Sequence, residues 1–301
     1  MTIWRLVPFA LFLLVVSAFL VVPVPTAQAQ SAAGVFGQGD APLTIDANEG
    51  IEWRQDRKVF IARGNAKAKR GDLTVAADVL KAHYRKDAKG RPEIWRVDAI
   101  GKVRISSPKQ RAYGDKGTYN LDTGIFELTG DNLRIESEKQ TVTARDKIEY
   151  RRKEQVARAL GDATASQEDK KLRADVITAY FREGDAGKLA LKTVVALGHV
   201  VVTTAREVAR AKRAEYDAIK DRVTLSGGVK LTRGVNQLNG EYAEVDLKTG
   251  VSRLLARPRG ASGGKPVHGL FVPGKGAEGP GLDLGVLGGA KAKKKKPAAQ
   301  D

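Results

Sequence analysis

Few residues in this chain are equipped for chemistry. Its 301 residues include no cysteine and three histidines, His83, His199 and His268. That excludes a thiolate nucleophile, a thiolate zinc site and an Fe–S cluster. It also leaves little material for a His-rich metal site or a Ser-His-Asp triad. His83 and His199 fall in strand-like stretches without ligand spacing. Gly274-Lys275-Gly276-Ala277-Glu278-Gly279 spells a dinucleotide-type glycine string, but no strand pattern precedes it and no helix pattern comes after it, so it reads as tail. Asp78 and Asp175 are equivalent carboxylates 97 positions apart. Paired carboxylates serve acid–base catalysis, but acids repeated at such a distance read as turn or strand-edge residues. No nucleophile, base and oxyanion donor converge, so the expectation is a protein that is not an enzyme, with no cofactor and no metal.

The elements around these residues say more. Hydrophobic residues make up 42% of the chain, enough for a core, while aromatics are only 6%. The core must therefore be built from Val, Ile, Leu and Ala. The formal charge is +17, which calls for nucleic acid, anionic lipid or simple solvation as its counterpart.

The N-terminus bears on that choice. Arg5 precedes an apolar run from Leu6 to Val22, then Pro23, Pro25 and Ala27-Gln28-Ala29. This reads as a secretory signal over 1–29, cut after Ala29, with a retained single-span anchor as the alternative. Cleavage removes only Arg5 and leaves a charge of +16. Export argues against nucleic acid and for acidic envelope molecules.

Residues 30–42 read as a linker, and beyond them the chain repeats itself. Shifted by 97 positions, residues 46–133 match themselves without a gap. Ile51, Glu52 and Arg54 fall on Ile148, Glu149 and Arg151; Val97, Ala99, Gly101 and Val103 fall on Val194, Ala196, Gly198 and Val200. A smaller unit recurs inside each block: an aromatic residue, a polar turn, then alternating apolar residues ending at glycine. Trp53 to Gly64, Tyr119 to Gly130, Tyr150 to Gly161 and Tyr216 to Gly227 share a spacing of 11; Tyr84 to Gly101 and Phe181 to Gly198 share 17. A partial unit begins at Tyr242.

Each unit is a β-hairpin by its physics. Phe126-Glu127-Leu128-Thr129 and Val223-Thr224-Leu225-Ser226 alternate cleanly, and Asp122-Thr123-Gly124 and Lys220-Asp221-Arg222 are turn sequences. The terminal glycines should sit at positive φ or at bulges. Ala205–Lys220 has helix-favouring composition, but its match to the turn-rich residues 108–123 assigns it to strand and loop. The pattern predicts 12–15 short antiparallel strands. A sheet with one apolar face must fold over on itself, so the expected fold is all-β: an elongated antiparallel β-jelly roll of repeated hairpins over residues 43–257, with unpaired edges at its two ends. Residues 258–301 read as a disordered basic tail, the chain carrying +6 from Arg257 onward and ending in Lys291-Ala292-Lys293-Lys294-Lys295-Lys296, either an electrostatic tether or a solubiliser.

Two stretches carry a resemblance. Ala211-Lys212-Arg213-Ala214-Glu215-Tyr216 runs into Val223-Thr224-Leu225-Ser226-Gly227-Gly228-Val229-Lys230-Leu231, and a second copy runs from Tyr119 through Phe126, Leu128, Gly130 and Leu133. With Thr44-Ile45-Asp46-Ala47 opening the first hairpin, residues 43–257 resemble the OstA-like domain of the LptA family. The resemblance implies a periplasmic jelly roll whose lumen shelters the lipid A acyl chains of lipopolysaccharide. It further implies strand-edge pairing with LptC-like and LptD-like domains, and head-to-tail self-association, forming a bridge between two membranes. The duplicated block departs from the family's usual length, leaving open whether one chain acts as one such domain or two.

On that reading, the inward lumen set is Ile51, Trp53, Val59, Ile61, Leu73, Val75, Val103, Ile105, Tyr119, Phe126, Leu128, Ile135, Ile148, Tyr150, Val200, Val202, Val223 and Leu225. Arg63, Lys67, Lys69, Arg70 and Arg104 are the phosphate-contact candidates. The competing function is a non-enzymatic envelope scaffold with a dry β core and a polyanion-binding tail.

Overall fold

The computed structural model describes residues 43–88, 90–138, 140–184, 189–249, 251–258, 264 and 266–272. The N-terminal apolar run and most of the C-terminal tail lie outside the described residues, as does the Gly274–Gly279 string. Eighteen strands succeed one another, with no helix among the described residues. They are β1 (Leu43–Asp46), β2 (Gly50–Arg54), β3 (Val59–Arg70), β4 (Leu73–Lys86), β5 (Pro92–Ser107), β6 (Gln110–Asn120), β7 (Ile125–Thr129), β8 (Leu133–Ser137) and β9 (Gln140–Ala144). The second nine are β10 (Lys147–Arg151), β11 (Val156–Gln167), β12 (Lys170–Glu183), β13 (Leu189–Thr203), β14 (Val208–Asp217), β15 (Arg222–Arg233), β16 (Asn236–Asp246), β17 (Ser252–Leu255) and β18 (His268–Leu270).

The duplication is visible in the strand bounds. β2, β3 and β4 become β10, β11 and β12 on adding 97 to each end. Ala205–Lys220 contains strand β14, as its repeat partner requires. The turns close on side chains: the Asp217 carboxylate accepts from the backbone N–H groups of Ile219 and Lys220, and Asp246 accepts from those of Lys248 and Thr249.

All strands join one antiparallel sheet, but it is not a set of short hairpins. The long strands run through two hairpin halves, reaching 16 residues in β5. What fuses the halves is a bulge. The glycines that end each apolar stretch, Gly64, Gly101, Gly161, Gly198 and Gly227, lie at φ of 75–84°, each trailed by a second residue at positive φ. Register breaks there, at Arg63/Ala66, Ile100/Val103, Leu160/Ala163, Leu197/Val200 and Ser226/Val229. Positive φ favours glycine at these positions, and at Gly64 a Cβ would also fall 2.8 Å from the backbone nitrogen of Glu49.

The bulges crease the sheet into two half-sheets. At four ladder positions the chain leaves the sheet at the crease and returns, so two short strands fill the place of one long strand: β2 with β1, β7 with β8, β10 with β9, and β17 with β18. The ladder thus has fourteen positions, a roll about 60 Å long at ~4.8 Å per strand. The half-sheets close on each other because small residues line the crease: Ala66 faces Ala77, Val103 faces Gly114 and Ala163 faces Ala174. One buried cluster draws on both halves, from Ala62, Leu80 and Leu128 on one to Val75, Leu172 and Val202 on the other.

Candidate functional site

The inward faces are built from cross-strand rows. In the first half-sheet an inward row runs from Ile51 through Ala62, Leu80, Ala99, Gly117, Leu128, Ile148, Ala159, Ile177, Ala196, Ala214, Leu225 and Ala243 to Leu254. Large and small side chains are interspersed along it, so the facing half can interdigitate. A second row, farther from the crease, is aromatic: Trp53, Phe60, Tyr119, Phe126, Tyr150 and Tyr216 share it with Val97, Val194 and Val223. The other half contributes Val75, Ile105, Ile135, Val142, Leu172, Val202 and Leu231 in one register row.

Sixteen of the eighteen inward candidates lie on these faces. Leu73, Val75, Val103, Leu128, Ile148, Val200, Val202, Val223 and Leu225 are core, with Ile105, Phe126, Ile135 and Tyr150 packed against it. Tyr119 is also buried. Ile51 and Trp53 stand at the open end, 56% and 57% exposed, where Trp53 stacks on Phe60 and its indole N–H donates to Tyr84 Oη at 2.9 Å. Val59 and Ile61 are the corrections. Ile61 pairs with Glu52 and Lys81, and Val59 with Arg54 and His83, so both sit on the charged outer face, although buried. Phe60, Tyr216 and Leu172 join the inward faces without a place in the expected set. The repeat points to two of them, since Tyr216 matches Tyr119 and Leu172 matches Val75.

The interior is chemically quiet. Burial pushes the phenols of Tyr119 and Tyr150 up, and Tyr216 is raised by burial and by its hydrogen bond to Asp221 at 3.0 Å. All three stay neutral at physiological pH. A small hollow between the halves is lined by Leu172, Val194, Ala196, Val202, Ala214, Glu215, Tyr216 and Val223.

Buried charges belong to the outside, while Arg70 and Lys170 sit at the margin of the inward face, opposite Leu73 and Gln167. Asp98 and Glu149 are buried carboxylates of the outer face, not of the inward one. Burial opposes the ionisation of Glu149, but hydrogen bonds and charge from Lys147 and Arg151 outweigh it and hold its carboxyl below the usual range. Asp98 behaves likewise, with Arg96, Thr118 and His83 outweighing its burial. Asp175 receives His199 Nδ1 at 2.9 Å, while Asp78 packs over Gly101; each fills a bulge rather than forming a pair with the other. Among the described residues no group of three His, Asp or Glu is placed to hold a metal. Of the phosphate-contact candidates, Lys67, Lys69 and Arg104 are exposed on the outer face of the second half-sheet; Arg63 lies 4.0 Å from Glu52, and Arg70 ends β3 opposite Leu73.

Residues 44–156 and 145–251 each match the family described as LptA/(LptD N-terminal domain) LPS transport protein. An uncharacterized protein of Rhizobium meliloti (strain 1021) is 27% identical over 128 residues, which is 40% of this chain and 68% of that protein. Among solved structures, LptH, described as the LptA-homologous periplasmic component of the lipopolysaccharide transport device of Pseudomonas aeruginosa, is 20% identical. It aligns with 44% of this chain and 95% of its own, at a TM-score of 0.37.

Proposed function

Because the chain belongs to the LptA/LptD N-terminal family of lipopolysaccharide-transport proteins, we propose that it works as a periplasmic bridge segment that shelters lipid A acyl chains and passes lipopolysaccharide from the inner to the outer membrane. The observation that carries this reading is the pair of inward apolar rows. They run unbroken along the roll and emerge exposed at Ile51 and Trp53. Each methylene taken from water gains ~0.8 kcal/mol wherever it lies along such a row. Holding without orienting lets a chain slide, which a conduit requires and bond chemistry does not.

The two ends of the roll extend the proposal to partners. β1 and β2 leave an open edge at one end, and β17 and β18 at the other. LptC-like and LptD-like domains, or a second copy, would add strands there. The junction between the two repeats inside this chain supports this reading, with β7 laid against β10 and β8 against β9. Export through residues 1–29 and an anionic-lipid contact by the Lys-rich C-terminus complete the proposal.

Photoreactive residues at Phe126 and Val223, with Thr224 on the outer face as control, test the lumen. Lipopolysaccharide should crosslink at the first two and not at the third. A filled, dry core, as the scaffold alternative requires, would give no adduct at either inward position.

A further inference from the structure

The two outer faces of the roll carry different charge. On the first half-sheet, the three outward rows that begin at Gly50, Glu52 and Arg54 hold eleven Lys or Arg and eight Asp or Glu among the described residues. Their cations are largely spent on neighbouring acids, as with Arg96–Asp98, Lys147–Glu149 and Arg213–Glu215 along the same half. On the second half-sheet, the two rows that begin at Asp46 and Thr44 hold nine Lys or Arg and two acids. One of these rows places Lys67, Arg104, Arg134, Arg173, Arg210 and Lys230 in cross-strand register. Lys67, Arg104, Arg210 and Lys230 are exposed, and among the described residues none has an ion-pair partner.

The companion row is hydroxylic. Thr74, Ser106, Thr141, Ser166, Thr203 and Thr232 alternate with Lys69, Arg111 and Lys171. We propose that this outer face is a binding track for a flexible acidic saccharide chain, separate from the apolar lumen. Three features select that ligand class. Neighbouring strands rotate by roughly 20–25°, so a stripe crossing the whole ladder winds around the roll. A flat bilayer touches only part of such a stripe, whereas a flexible polymer tracks it. Single-stranded nucleic acid is held by stacking on open aromatic rings, and the one aromatic on these rows, Tyr113, is covered by the Arg134 guanidinium 4.0 Å from its centroid. Cations interleaved with hydroxyls match a chain that carries both acidic groups and hydroxyls.

The test uses the full chain and two variants of equal charge. One carries Lys67→Gln, Arg104→Gln, Arg210→Gln and Lys230→Gln. The other carries Lys81→Gln, Arg158→Gln, Arg222→Gln and Arg253→Gln on the balanced face. The Lys-rich C-terminus is common to both, and equal thermal midpoints establish that both fold. Labelled oligogalacturonate and the delipidated saccharide of lipopolysaccharide are the probes. The track variant should bind about tenfold or more weakly at low salt, with a shallower salt dependence, while the balanced-face variant stays near the parent. Loss with the delipidated saccharide alone assigns the track to the transported molecule; loss with both assigns it to acidic saccharides in general. Equal weakening in both variants overturns the proposal, as does tighter binding of an oligothymidylate or of phosphatidylglycerol vesicles than of either saccharide. Lumen crosslinking by lipid is read separately, so either idea can fail alone.

Discussion

Glu127 and Glu149 stand directly opposite each other across β7 and β10, and the Lys147 ammonium reaches both carboxylates, at 2.6 and 2.8 Å. Two like charges in register destabilise a sheet, and here they lie at the seam between the two repeats. Lys147 and Arg151 make that seam tolerable, because Glu149 is only 2% exposed. In the first repeat the equivalents are Glu52 and Arg54, but Gly50 stands where Lys147 would be. The open edge at β2 therefore lacks the bridging lysine, and its best partner strand is one that does not bring a carboxylate to face Glu52.

Replacing Lys147 with Ala should cost about 2–3 kcal/mol of stability, since a buried carboxylate loses a partner and gains an unscreened neighbour. Adding Glu127→Gln should restore part of the loss. Urea unfolding of the single and double variants measures both, and an additive second loss would show that the bridge is not what holds the seam.

Stability should fall on the acid side. Glu149 and Asp98 have folded pKa values below their unfolded ones. Their contribution is thus fully present above the unfolded carboxylate range of about 4 and is lost as pH drops through the lower folded values. Glu149→Gln should flatten the urea midpoint against pH below about 5. An unchanged slope would mean that other carboxylates carry it.

The crease glycines should be costly to replace. Gly64→Ala combines positive φ with a Cβ 2.8 Å from the backbone nitrogen of Glu49, whereas Gly90, also at positive φ, has open space around it. Gly90→Ala should cost about 1 kcal/mol, and Gly64→Ala about 2–4 kcal/mol. The difference between the two thermal shifts isolates the collision.

The end of the lumen should matter for association and hardly for folding. Ile51→Ser with Trp53→Ser removes exposed apolar surface, so unfolding should change by less than about 1 kcal/mol. Concentration-dependent light scattering should lose any growth with concentration seen in the parent. In the second repeat, Ile148, the counterpart of Ile51, is only 5% exposed because β7 covers that edge. Ile148→Ser should therefore cost several kcal/mol.

The inward faces are largely legible in the sequence because alternation and the 97-residue shift both mark inward positions. Legibility fails at Val59-Phe60-Ile61-Ala62, where four apolar residues run together. Such a run has no polar partner to fix its parity, so the choice of face passes to the neighbouring strands, and Glu52 and Lys81 place Ile61 outside. His268–Leu270 has the composition of a tail. It nevertheless pairs with Gln237–Asn239 as β18, a contact across a long sequence gap that no local pattern announces.

By itself the sequence determined the alternation within strands, the duplication and the glycines at which the strands bulge. Alternation and positive-φ glycines are local properties of the backbone, and a repeat is read by comparing the chain with itself. Only the tertiary structure decided that β7 and β8 of one repeat would close onto β10 and β9 of the next. It also decided that the outer net charge would divide unequally between two faces. Those outcomes depend on register summed across many strands, and register is set by packing between residues that are distant in sequence.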